Sequence, residues 1–216
     1  MNVYHISGLG ADKRVFSKIK YPSHCNPIYI DWIEPIKNES LVNYAKRLSL
    51  SINRTEPFIL IGVSFGGMIA VEIAKELNPV LTILIATIPC SNLLPLHYRF
   101  MGVLRFNNFI PPSLIKSSNL FSYYLFGVKT KEEKHLLNSI IFNTDLFFLK
   151  WALSAILKWD NEKIVRNTIH IHGTSDKILP IKYVTPSHKI KGGGHLIVYT
   201  HSNIVSEIIF SKLSLL

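Results

Sequence analysis

At 216 residues the chain is long enough to bury one full core with a smaller appended layer, and with 48% apolar and 18% charged residues it has the balance of a globular protein, which excludes a disordered one. The net charge of +10 rests on 24 Lys and Arg spread along the whole length, mixed with acid in stretches such as VKTKEEK (128–134), so a solvated basic surface is expected and nucleic-acid binding is not. Two cysteines, Cys25 and Cys90, are too few for a disulfide framework. With no basic-then-apolar leader and no apolar run of about 18 to 20 residues, the expectation is a cytoplasmic protein without a membrane span.

In chain order, β-rich runs occur at NVYHIS (2–7), PIYIDW (27–32), FILIGV (58–63), LTILIAT (81–87), TIHIHG (168–173) and SHKIKG (187–192). Segments with helical period lie between most of them and at the end, notably 38–53, 66–78 and 202–213. This alternation predicts a parallel α/β sheet, and the near-continuous Ile, Leu and Val of the third and fourth runs predict central strands covered on both faces. From 89 to 165 the strand signal stops and helices take over, one of them opened by the capping box TKEE (130–133). Further along, Leu146, Leu149, Leu153, Ile156 and Leu157 form one apolar stripe and Phe148, Trp151, Ala155 and Trp159 another, so that helix should be covered twice. The segment also holds more than half of the aromatic residues. The expected organisation is a core of 1–88 and 166–216, with a helical cap of 89–165 inserted after the fourth strand, one face on the core and one on a cavity.

At the end of the third run the chain reads GVSFG (62–66), a serine between glycines where a buried strand meets a helix. A sharp strand-to-helix turn projects a hydroxyl above the strand ends and brings the two elements close, so Gly62 and Gly66 must lack side chains. The helix that follows points its first NH groups and positive dipole end at Ser64, which favours a developing oxyanion.

With HGTSDKILP (172–180) and GGGHLIVY (192–199) further on, the sequence resembles the α/β-hydrolase superfamily over nearly its whole length. Members carry serine, acid and histidine in this order, so the resemblance implies Ser64 as nucleophile, His195 as general base and acid, and Asp176 as the group that orients the imidazole. It also implies an oxyanion hole from the backbone NH groups of Phe65 and of Leu9, the latter in SGLGADKRVF (7–16), where Ser7 stands in place of a frequent histidine and Asp12 caps the next helix. The sheet should have about six strands and lack the first two of the family, which leaves PIYIDW at an edge open to a homodimer.

His170 and His172 alternate on a strand and read as structural, and with no HExxH or Cys/His cluster neither a metal nor another cofactor is expected. The implied function is cleavage of a small, largely apolar carboxylic ester through an acyl-enzyme on Ser64. Ligand sensing with little turnover, thioester cleavage and carbon–carbon bond hydrolysis use the same residues. A compact cap leads to the expectation of acyl chains up to about six carbons.

Overall fold

The computed structural model describes residues 1–95, 98 and 119–216. The remaining positions of the segment read as a cap, 96, 97 and 99–118, lie outside the described residues. Six strands form one sheet: β1 (Asn2–Ile6), β2 (Asn26–Ile30), β3 (Phe58–Val63), β4 (Leu81–Ile85), β5 (Thr168–Gly173) and β6 (His188–Ile190). Their order is β2-β1-β3-β4-β5-β6 and every pairing is parallel. Among the described residues the helices are α1 (Leu41–Leu48), α2 (Phe65–Leu77), α3 (Leu120–Phe126), α4 (Lys131–Asn143), α5 (Leu146–Lys158), α6 (Ile197–Thr200) and α7 (Ser202–Leu213). Among the described residues no single helix is long and apolar enough to cross a membrane.

Strand alternation divides the core into two layers. Leu60 of β3, with Tyr4, Ile6 and Leu84 of its neighbours, packs under α1, α2 and α5. Ile59, Ile61 and Val63, with Val3, Ile83, Ile85 and Ile171, pack under α4 and α7. Every residue of β3 is buried, as an all-apolar central strand requires. Strand β2 forms one edge of the sheet, and its Pro27 lacks a backbone donor.

Several elements are shorter than the hydropathy pattern. Asn38 takes φ 62°, so α1 starts only after Ser40, whose hydroxyl accepts from the Asn43 amide. At its other end the Ser49 and Ser51 hydroxyls donate back to the carbonyls of Lys46 and Leu48, and the helix tightens to a 3-10 turn. Strand β4 stops at Ile85 because Ala86 takes φ 47°. Strand β2 stops at Ile30, and Trp32 turns its indole to the loop after β1.

The described helices between β4 and β5 are held to the sheet layer by capped ends and one buried carboxylate. Thr130 and Glu133 cap α4 reciprocally, and Asp145 accepts from the Phe148 amide at the start of α5. Phe148, Trp151, Ala155 and Trp159 are all buried in the layer shared with α1 and α2. Just past α5, the Trp159 indole donates to Glu72 of α2 at 2.8 Å, and Lys75 pairs with the same carboxylate at 2.7 Å. The ring satisfies one carboxylate oxygen and the ammonium the other, which is what burial of Glu72 demands.

Two buried histidines are held neutral. His5 accepts from the Tyr21 hydroxyl at 2.7 Å and faces the Ile28 carbonyl, while His170 lies beside His172 on β5. Burial lowers His5 to about 4 against the pull of the Ile28 carbonyl, and burial followed by the neighbouring His172 lowers His170 to about 4. Between pH 6.5 and 4 the unfolded chain therefore binds protons that the folded chain refuses, and stability falls as pH falls through that window. We expect urea-unfolding free energies measured from pH 7 to 4.5 to drop by a few kcal/mol, with a shallower slope in His5→Leu. A pH-independent midpoint would contradict the buried neutral rings.

Candidate functional site

Ser64 sits at the carboxyl end of β3 with φ 52° and ψ −120°, outside the helix that begins at the next residue. The turn is closed by main-chain contact. A Cβ at Gly62 would stand 2.5 Å from the Gly66 carbonyl oxygen, and one at Gly66 would run into the carbonyl groups of Ile6 and Ser7. The Ser64 amide donates to the Ile85 carbonyl at 2.9 Å, and the Thr87 hydroxyl donates to the Ser64 carbonyl at 2.6 Å. The serine is anchored on both sides of its Cα, which leaves the hydroxyl free to point outward.

The Ser64 Oγ lies 2.8 Å from Nε2 of His195, and Nδ1 of the same ring lies 2.8 Å from Oδ2 of Asp176. With Nδ1 protonated and donating to Asp176, Nε2 accepts from the serine; this tautomer is assigned from the hydrogen-bond network. The loops that carry acid and ring follow adjacent strands and are laced together. Ser175 donates its amide to the Gly193 carbonyl at 2.8 Å, and the Thr174 hydroxyl accepts from the Gly192 amide at 2.9 Å. From the other side the Leu196 amide donates to the Phe126 carbonyl at the end of α3, and the Phe126 ring meets the imidazole edge-on.

Asp176 is buried, and its other oxygen accepts from the amides of Ile178 and Leu179 at 2.9 and 2.8 Å. Turn residue and imidazole partner are thus one and the same group. Burial works against its charge, yet His195, the Leu179 amide and His172 outweigh it and hold the carboxyl below the usual range.

The sequence did not single out two residues that shape this site. His172, read as structural, is fully buried beneath the acid: its Nε2 is 2.7 Å from the Leu179 carbonyl and 3.4 Å from Asp176 Oδ2. Trp32 donates its indole NH to the Ala11 carbonyl at 2.9 Å, the same oxygen that accepts from the Ser7 hydroxyl at 2.7 Å. Together they pin the loop after β1 through one carbonyl. Asp12 caps the short 3-10 turn at Lys13–Phe16 and pairs with Arg14 at 2.7 Å. No residue type or spacing flags either: the Trp32 indole reaches a loop 21 residues earlier, and nothing in the sequence says that the His172 ring meets the Leu179 carbonyl.

Above the serine lies a cavity of about 680 Å³, lined among others by Leu9, Ser64, Phe65 and His195. The amides of Leu9 and Phe65 have no protein acceptor among the described residues. The α5 stripe of Leu149, Leu153, Ile156 and Leu157 faces this cavity, whereas the aromatic stripe faces the core. Among the described residues the aromatic lining comes instead from Phe65, Tyr98, Phe121 and Phe126. Among the described residues no group of His, Cys, Asp and Glu is arranged to hold a metal ion.

No protein-family model matches the chain, and no curated protein matches it in sequence. Solved structures do match. MenH from S. aureus aligns with a TM-score of 0.74 at 17% identity, covering 99% of this chain and 93% of that one. An esterase from Exiguobacterium antarcticum aligns with 0.72 at 16% identity over 99% and 92%, and a lipase-esterase related protein from Clostridium acetobutylicum with 0.70 at 17% over 96% and 92%. The chain has the α/β-hydrolase fold.

The glycine geometry predicts a contrast. Gly66→Ala should destabilise by about 3 kcal/mol or more, or fail to fold, since main-chain atoms cannot move aside. Gly8→Ala, whose Cβ would meet only ordinary contacts at 3.6 Å from Ser64 Cβ and 3.8 Å from the Val63 carbonyl, should stay within about 1 kcal/mol of the parent. Urea-unfolding midpoints of the two variants check the contrast.

Proposed function

We propose that the protein is a serine hydrolase of neutral, largely apolar carboxylic esters, acting through an acyl-enzyme on Ser64. The observation that carries this is the unbroken line of 2.8 Å contacts from Ser64 Oγ through His195 to Asp176, opening on an apolar cavity. In the first step Oγ attacks the ester carbonyl carbon as Nε2 takes the hydroxyl proton. The ester oxygen becomes an oxyanion, to which the amides of Leu9 and Phe65 donate. His195 then passes its proton to the departing alcohol, leaving the acyl group on Ser64, and in the second half a water molecule takes the place of the alcohol. Asp176 stabilises the imidazolium throughout and keeps its own proton off, which its lowered pKa favours.

That the fold is shared with proteins described as esterases and as lipase-esterase related supports the same chemistry here. The described lining contains no Lys, Arg, Asp or Glu, which favours an uncharged substrate.

An alkyl p-nitrophenyl phosphonate should label the wild type once, on Ser64, and leave Ser64→Ala unlabelled. Turnover of p-nitrophenyl butyrate should fall by at least about 10⁴-fold in Ser64→Ala. A folded protein that takes no label would overturn the assignment. Labelling without steady-state turnover would make the pocket a sensor.

A further inference from the structure

The lining of the cavity is more selective than ester chemistry alone demands. We infer that it accepts an extended hydrocarbon acyl chain of about eight to twelve carbons, laid along α5. This rests on the hydrolase reading of Ser64 and names the acyl class within it.

The first observation is which hydrogen-bonding capacity is left over. The polar side chains of the described lining are mostly committed within the protein. The Tyr98 hydroxyl donates to the Ile178 carbonyl at 3.0 Å, Ser122 to the Asn119 carbonyl at 2.8 Å and Thr144 to the Ile140 carbonyl at 2.6 Å. The Asn119 side-chain oxygen accepts from the amides that open α3, and that residue is exposed at the rim. Among the described lining, what remains for a ligand is Oγ, Nε2 and the amides of Leu9 and Phe65, all at one end, besides the Asn119 side-chain nitrogen at the exposed rim. A substrate with one polar end and a hydrocarbon body satisfies this pattern. A charged or polyhydroxylated one would bury groups without partners.

The second observation is shape. Helices α4 and α5 meet at 95°, and the inner side of the V carries Leu137 and Ile140 on one arm and Leu149, Leu153, Ile156 and Leu157 on the other. From Leu149 to Leu157 the stripe runs about 12 Å at about 1.5 Å per residue. An extended hydrocarbon advances about 1.3 Å per carbon, from a bond of about 1.5 Å, so nine or so carbons span it.

The third observation is volume. The cavity of about 680 Å³ falls in the range of pockets that enclose a whole small-molecule ligand. The short acyl chains suggested by a compact insert would leave much of that wall without contacts, whereas a longer chain removes apolar surface from water at each added carbon.

Two measurements test this. For p-nitrophenyl esters from acetate to palmitate, kcat/KM should rise by up to about fourfold per methylene to an optimum between eight and twelve carbons. An optimum at six carbons or below, or beyond twelve, would overturn the inference. In Leu153→Trp the optimum should move to a chain shorter by two carbons or more, and an unmoved optimum would overturn the placement along α5.

The second readout needs no turnover. Calorimetric binding to Ser64→Ala should be at least about tenfold tighter for decan-2-one than for hexan-2-one, and equal affinities would count against the chain site. If Ser64 takes no phosphonate while decan-2-one still binds preferentially, the hydrolase reading fails and the hydrocarbon site stands. If Ser64 is labelled and acetate is the best ester, the hydrolase reading stands and the chain-length inference fails.

Discussion

Ser64 holds φ at 52° and ψ at −120°, a region that costs a residue with a side chain about 1 to 3 kcal/mol. The surroundings leave it no alternative. Its amide is taken by β4 through the Ile85 carbonyl, its carbonyl is taken by Thr87, and the flanking residues Val63 and Phe65 are buried. Relaxing the angle would break both bonds and lift α2 off β1 at the Gly66 contact, so the strain is retained. The consequence is functional: the hydroxyl is the part of the turn that packing does not use, and it faces the cavity.

The acid is governed by a different balance. Among the described residues Asp176 forms no ion pair with a Lys or Arg, and its negative charge is held by two amides and the imidazole of His195, with the His172 ring 3.4 Å away. Such an arrangement stabilises the carboxylate without neutralising it, leaving it able to respond to the charge that the proposed mechanism would place on His195. A nearby guanidinium would lower the carboxyl further and would also repel the imidazolium. His172 adds rigidity here, since burial favours its neutral form and it bridges the Leu179 carbonyl and the acid.

How much could be read beforehand follows from the range of each interaction along the chain. The strands, their parallel order class and Ser64 were legible because a buried strand, a tight turn and a helix are local patterns of apolar and small residues. Asp176 and His195 could be placed after strands only with the order Ser, Asp, His carried over from the resemblance, since nothing local to either says that it meets the other. Trp32 and His172 had no such pattern: the Trp32 indole bonds to the Ala11 carbonyl 21 residues away, and the His172 ring bonds to the Leu179 carbonyl 7 residues on, a contact that no residue type marks. The strand and helix ends were overextended at Trp32, Asn38 and Ala86, where a backbone angle or a long-range bond, invisible to hydropathy, stops the element.

Helix α5 divides two tasks that usually conflict. Its aromatic face contributes Phe148 and Trp151 to the layer shared with α1 and α2, with Trp151 bonded to the Glu39 carbonyl, and Trp159 just beyond it reaches Glu72. Those contacts fix the helix whether or not a ligand is present. The opposite face carries Leu149, Leu153, Ile156 and Leu157, which are only partly buried because the space above them is open. Leu149 and Leu153 can change size without disturbing the buried layer, whereas Ile156 and Leu157 also pack against it, so the depth of the cavity is set in part by residues that the core does not use. Cavity depth and stability are in that sense partly separable properties of one helix, coupled through Ile156, Leu157 and the rigidity with which its aromatic side is held.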